Sequence, residues 1–341
     1  MDNAVRYEII AEIARGDFAT VFRARDRQLG REVAIKQLHE QYLHNPKLTE
    51  RYWQEAQMIA RLEHPHVMTI YDVVPERGWL ILELMKGSIK DLLKGHPIKL
   101  SDLRLTILFA ARALSFFQQH EILHGDVKPT NLLVDRNNWI KLGDFGIARR
   151  IQGDDGSAIK GTTRYIAPEV VSDKFGPVGP HSDIYSLGFS AYELLCGSRF
   201  DTLFPGLNMF GRDQQLAWMM WHSAPDRRLP RIRDVLDGVP ADLAAVIERM
   251  TCKDPRQRYR SADQVIADLE REGGPTTADL SRQDEEEARR AAKKARRKRL
   301  VTIAAMTLSI ALSASLLFWP PKKPPSQPGP ELPTDRPVGK V

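Results

Sequence analysis

The sequence predicts an α+β fold in two unequal lobes, a small β-rich one over about residues 7–85 and a larger helical one over about 86–270. Three observations carry that reading. Short β-type runs alternate through the first 84 residues, interrupted by one helical stretch. From about Ser101 onward, helical spacing of apolar residues dominates. The 341 residues, 42% hydrophobic and 28% charged, suit one such globular domain followed by a tail.

The strand-like runs, in order, are "YEIIAEI" (7–13), "ATVFRAR" (19–25), "EVAIKQL" (32–38), "VMTIYDV" (67–73) and "WLILEL" (79–84). Between the first two lies "IARGDFATV" (13–21), a hairpin whose Gly16 lets backbone N–H groups approach a phosphate. Alone it is a poor signal and reads first as an ordinary hairpin, because Ala14 and Ala19 stand where a G-x-G-x-x-G pattern wants glycines. In "VAIK" (33–36), Ala34 and Lys36 point to one face of a strand and could meet a purine ring and its phosphates together. The helix expected over Leu48–Leu62 carries an apolar stripe of Tyr52, Ala56, Ile59 and Ala60, with Glu55 about 60° round from Tyr52. A carboxylate beside a buried face needs a counter-charge, and Lys36 is the expected one.

"HGDVKPTN" (124–131) holds the densest chemistry. Asp126 can accept a proton from an attacking hydroxyl, Lys128 can neutralise a moving phosphoryl group, and Asn131 can bind a metal. Thirteen residues after Asn131, Asp144 opens "DFG" behind the strand-like "WIKL". Asn131 and Asp144 together provide the two oxygen ligands that suit magnesium, which takes few protein ligands beside phosphate oxygens.

Taken in order and spacing, "VAIK", Glu55, "HPHV", "HGDVKPTN", "DFG", "GTTRYIAPE" (161–169), "SDIYSLG" (182–188) and "KDPRQRY" (253–259) resemble a eukaryotic-type (Hanks-type) serine/threonine protein kinase. The resemblance covers about Tyr7 to Glu270. It implies a two-lobed kinase fold and transfer of the γ-phosphate of Mg-ATP to Ser or Thr hydroxyls of proteins. By it, Lys36 holds the α- and β-phosphates and pairs with Glu55, Asp126 is the catalytic base, Lys128 assists the γ-phosphate, and Asn131 and Asp144 bind Mg²⁺. Ala34, Val21 and Leu133 sandwich the adenine, and Ile13 and Gly16 are further nucleotide-contacting positions. Glu83 and Met85 offer hinge backbone groups, with Leu82 as gatekeeper, and Glu169 and Arg258 form a buried structural ion pair.

Two other readings stand beside it. "HGDxxxxN" also resembles small-molecule kinases of the aminoglycoside and choline type, but Lys128, "DFG" and the peptide shelf of "GTTRYIAPE" favour a protein substrate. A catalytically impaired pseudokinase, acting as a nucleotide-binding or docking module, is suggested by Ala14 and Ala19 and opposed by the full set of catalytic groups. Gly125 stands where most family members carry an Arg that grips an activation-loop phosphate, so activity is expected not to need such a clamp. Ser157 is the one hydroxyl in Ile147–Lys160, and Thr162 matches the family's structural Thr.

The net charge of +6 is local. Eight basic residues lie between Arg289 and Arg299, and without them 42 basic residues face 44 acidic ones, so no nucleic-acid partner is expected. A charged juxtamembrane linker (271–299) precedes "LVTIAAMTLSIALSASLLFW" (300–319), 20 uncharged residues that as a helix span about 30 Å. One membrane span is expected there, with the kinase domain cytoplasmic by the positive-inside rule, basic side chains near lipid headgroups, and the Pro-rich tail (320–341) across the cell membrane. Ala305, Ser309 and Ser313 form a small-residue face that could pair two spans in a homodimer. The whole resembles bacterial single-pass transmembrane Ser/Thr kinases. Cys196 and Cys252 read as reduced thiols, and the absence of an opening apolar run predicts no cleavable signal peptide.

Overall fold

In the computed structural model, described residues are 6–43, 46–144, 163–207, 210 and 213–271, all within the compact unit Met1–Gly274. The expected span 300–319, the linker before it, the tail after it, Ser157, Thr162 and the Phe and Gly of "DFG" lie outside them. Among the described residues no helix is long and apolar enough to cross a membrane.

The first lobe is a five-stranded antiparallel sheet in the order β1-β2-β3-β5-β4. Its strands are β1 (Tyr7–Arg15), β2 (Ala19–Asp26), β3 (Arg31–Leu38), β4 (Ile70–Val74) and β5 (Trp79–Glu83). Ala24, Val33, Ile35, Val74 and Ile81 are buried on one side of it, closed by Tyr7 and Trp79. Helix α1 (Pro46–Ala60) packs beside β4 and buries Tyr52, Ala56 and Ile59 of the expected stripe, with Ala60 half-buried. The strand expected over residues 67–73 begins later, at Ile70. Val67 instead bridges to Leu142, and Met68 N–H donates to the Leu142 carbonyl at 3.0 Å, which stitches the first lobe to the second.

The second lobe is helical. Helices α3 (Leu100–Gln119) and α5 (Pro180–Cys196) cross at its centre and are buried along most of their length. Around them stand α2 (Ile89–Leu93), α4 (Pro168–Val171), α6 (Gln214–Ser223), α7 (Ala241–Met250) and α8 (Ala262–Arg271). A small sheet, β6 (Gly87–Ser88), β7 (Leu132–Val134) and β8 (Ile140–Leu142), floors the cleft between the lobes. Asn131 immediately precedes β7 and Asp144 is the second residue after β8, so the β7–β8 pairing sets their separation.

Candidate active site

The catalytic segment hangs from the centre of the helical lobe. Asp183, in the first turn of α5 and 5% exposed, accepts the backbone N–H of His124 on one carboxylate oxygen and that of Gly125 on the other, both at 2.8 Å. Two consecutive peptide groups are thereby fixed. Gly125 has φ of +74°, with open space where a Cβ would stand. The left-handed backbone costs an ordinary L-residue about 1–2 kcal/mol and a glycine almost nothing. Buried His124 accepts the Asp126 N–H on Nδ1 at 3.3 Å and donates from Nε2 to the Gly143 carbonyl at 3.2 Å. This neutral tautomer ties the loop to the turn that carries Asp144.

Asp126, Lys128 and Asn131 then close on one another. Lys128 Nζ lies 2.7 Å from Asp126 Oδ2, and Asn131 Nδ2 donates to the same oxygen at 3.0 Å and to the Asp126 carbonyl at 2.7 Å. With its amide nitrogen committed to Asp126, Asn131 keeps Oδ1 as an acceptor. The Asp144 carbonyl is 3.4 Å from the same Nδ2, and Gly143 N–H donates to the Asn131 carbonyl at 3.0 Å. A Cβ on Gly143 would stand 2.6 Å from Leu133 Cδ1 and 3.1 Å from Met68 Sδ, so a larger residue there would require those side-chain ends to shift. Asp144 itself has φ of +55°, a conformation that a non-glycine residue holds only when its surroundings enforce it.

Lys36 reaches across from β3 and forms an ion pair and hydrogen bond with Asp144 Oδ1. Withdrawal from water would lower the Lys36 ammonium, but the Asp144 carboxylate, buried Tyr52 and the hydrogen bond outweigh it and hold the group above its usual range. Burial likewise would raise the Asp144 carboxyl, and Lys36, with help from Lys128, holds it below the ordinary carboxylate range. Both groups therefore stay charged at neutral pH.

The expected pairing of Lys36 with Glu55 is not formed. The charges that act on Lys36 come from Asp144, Tyr52 and Asp126. The physical reason is competition, since Asp144 pairs directly with the ammonium. Tyr52 is 5% exposed, whereas Glu55, about 60° round the helix, is half-buried and has other interactions.

The remaining expected positions fall around the same cleft. Residues directly opposite in an antiparallel pair share a face. Val21 lies opposite Lys36, and Ala34 opposite Leu82, so these side chains line one wall with Lys36. Leu133 lies on the opposing floor, in β7. Glu83 ends β5, its N–H donating to the Thr69 carbonyl at 3.0 Å and its carboxylate held by Lys141 at 2.8 Å. Met85 follows, just before Lys86, whose N–H is pinned to the Val134 carbonyl at 2.8 Å. Gly16 closes the β1–β2 turn on the Ala19 carbonyl at 2.9 Å, and Ile13 is 53% exposed above the cleft. A Cβ on Gly16 would meet only that carbonyl, at 3.7 Å, so the turn does not demand glycine.

Glu169 and Arg258 form the expected buried pair, with contacts of 2.7 and 3.1 Å and no side-chain exposure on either partner. The other Arg258 donors reach the carbonyls of Cys252, His181 and Lys253. Sequence reasoning named Asp183 only as part of "SDIYSLG" and did not give it the anchoring role. The available signal was a carboxylate in the first turn of a helix that is buried along most of its length.

An oxygen donor set of Asn131 Oδ1 and the free Asp144 Oδ2 fits a hard divalent cation that shares its shell with phosphate. Among the described residues no group of three or more His, Cys, Asp or Glu side chains could hold a metal, so a cation here would rest on these two oxygens.

Comparison with known proteins agrees in kind. The protein kinase domain model matches residues 7–268. A probable serine/threonine-protein kinase of Streptomyces coelicolor is 32% identical over 282 residues, 78% of this chain and 39% of that protein. The serine/threonine-protein kinase PknB of Mycobacterium tuberculosis is 32% identical over 279 residues, 78% of this chain and 42% of its own length. PknL of the same species is 32% identical over 272 residues, 78% of this chain and 65% of that protein. The match thus spans about two fifths of the first two relatives.

Proposed function

The chain belongs to the protein kinase domain family, and on that premise we propose that it is a serine/threonine protein kinase, transferring the γ-phosphate of Mg-ATP to protein hydroxyls. The carrying observation is the single hydrogen-bonded set formed by Asp126, Lys128, Asn131 and Asp144, with Lys36 entering it from the other lobe. Its relatives' names support the Ser/Thr class.

In this reading Lys36 would hold the α- and β-phosphates, and Asp144 with Asn131 Oδ1 would hold Mg²⁺. The bound cation supplies charge neutralisation on the phosphates. Asp126, fixed by Asn131, takes the proton of the attacking hydroxyl. Lys128, already beside it, stabilises the charge that develops on the transferred group. Val21, Ala34 and Leu133 sandwich the adenine between the lobes.

Gly125 carries no guanidinium, so transfer does not depend on phosphorylation of Ser157 through an Arg clamp at that position. Loss of activity on phosphatase treatment, restored by phosphorylating Ser157 alone, would count against this. The 300–319 segment tethers the domain to a membrane, with residues 1–299 on the cytoplasmic side and the basic stretch beside anionic lipid.

A second reading, a docking or nucleotide-binding module without transfer, draws on the engagement of Lys36 with Asp144 rather than Glu55. One experiment separates the two. Full-length protein and its Asp126→Asn form are compared for phosphate transfer from Mg-ATP to a mixture of acidic and basic proteins. Loss of at least a hundredfold is expected, and equal signal from both proteins would end the enzyme reading.

A further inference from the structure

Glu193 lies on α5 nearly three turns beyond Asp183 and is 8% exposed. Its carboxylate is filled from within the chain. Tyr165 donates its O–H to Oε2 at 2.5 Å, and Oε1 lies 3.1 Å from Lys90 Nζ and 3.4 Å from Arg164 Nη2. Arg164 is also gripped by Asp201 at 2.6 Å and lies over the rings of Phe200 and Trp218. It is thus a fixture, while the Lys90 side chain is 46% exposed and makes one bond with its three donors.

These four charges cancel, and their surroundings are basic. The loop after α2 is pinned against the end of α5 by Ser198 N–H to the Gly95 carbonyl (2.8 Å) and Ile98 N–H to the Leu194 carbonyl (2.9 Å). That brings exposed Lys94 and Arg199 to the same rim, neither with a side-chain partner among the described residues. The exposed carboxylate on α2, Asp91, is engaged with Ser88.

The position of this rim follows from α5. Asp183 holds the catalytic loop at one end, and Glu193 is ten residues further along. At 1.5 Å per residue, that is about 15 Å, the reach of four or five extended residues. Tyr165 and Arg164 belong to "GTTRYIAPE", whose path beside α5 is fixed by the Ser186 hydroxyl donating to the Tyr165 carbonyl at 2.7 Å.

We propose that this rim selects acceptor segments carrying an acidic side chain about four residues from the phosphorylated hydroxyl, and turns away basic ones because Lys90 and Arg164 already fill Glu193. Lys90 is the specificity-determining residue. The proposal rests on the phosphotransfer reading and names its substrate class.

The test uses full-length protein, Mg-ATP and peptides with Glu, Ala or Arg at each of five positions on either side of a Ser or Thr acceptor. Glu at one position three to five residues away should raise kcat/KM about 3–5-fold over Ala, the scale of one exposed ion pair. The gain should lie in KM and shrink as salt rises. Lys90→Ala should bring that Glu-to-Ala ratio near one, Lys90→Arg should keep it, and Lys90→Glu should turn the preference toward Arg. A flat or Arg-preferring wild-type profile overturns the proposal, as does a Lys90→Ala loss shared equally by all peptides. Transfer to proteins but to none of the peptides also overturns it, leaving the kinase reading intact. Transfer to neither ends both.

Discussion

Glu169–Arg258 and Lys36–Asp144 are both carboxylate–cation pairs, and they differ in what surrounds them. Neither side chain of the first touches solvent, and all five guanidinium donors are used within the lobe. The second is 20% exposed at Lys36 and 45% at Asp144, and it bridges two lobes. A dry, fully partnered pair is costly to break and does no chemistry; a wet pair at a cleft can exchange its partners for a ligand at little cost. The contrast separates the part of this chain that holds shape from the part that is free to react.

The largest expected effect falls on the dry pair. Arg258→Met leaves Glu169 buried without its counter-charge, and the full chain should lose about 3–5 kcal/mol of folding stability in denaturant titration. A loss below about 1 kcal/mol would mean that the two pairs do not differ. Lys36→Met should show the reverse pattern. Phosphate transfer should fall about 10²–10³-fold, the scale of a lost charge-stabilising group. The denaturation midpoint should move by the equivalent of less than about 1 kcal/mol, because the Asp144 side chain left behind is partly solvated.

Acid should sharpen the comparison next. Burial raises the Glu169 carboxyl, but Arg258 outweighs it and leaves the folded value below the ordinary 4.5. A depressed folded value means that the contribution is complete above about pH 4.5 and is lost as pH falls below it toward the folded value. The stability gap between wild type and Glu169→Gln should therefore be constant from about pH 7 to 5 and shrink below about pH 4.5. A gap that stayed constant well into acid would show that the carboxylate charge is not what stabilises the pair.

How much of this was legible in the sequence follows the same division. The strand-like runs gave four of the five first-lobe strands nearly to the residue, although β1 buries only Tyr7 and β5 is buried on both faces. β4 came out late since Val67 and Met68 are held by Leu142, a contact 75 residues away that no local pattern encodes. The catalytic groups were legible because "HGDVKPTN" packs three of them into six residues of one loop. The partner of Lys36 was not. Its partner is Asp144, 108 residues away in the other lobe, and no local pattern in either segment encodes that contact. Asp183 was hidden for another reason: its work is to accept two backbone N–H groups, and backbone donors leave no trace in side-chain spacing.

Gly125 joins the two regions, and its replacement gives the smallest effect. Its N–H is held by Asp183 from the shape-keeping lobe, while the next residue is the proposed base. At φ of +74°, with nothing within 4 Å of the Cβ position, Gly125→Ala meets no clash and pays only for the backbone. Stability should fall by about 1–2 kcal/mol. Gly125→Asn should lose less, because Asn tolerates the left-handed region better than other non-glycine residues. If Ala and Asn proved equal, crowding rather than backbone conformation would be setting the cost. If both were neutral, the loop would not be held at this φ, and Asp183 would be fixing a different conformation of the catalytic segment.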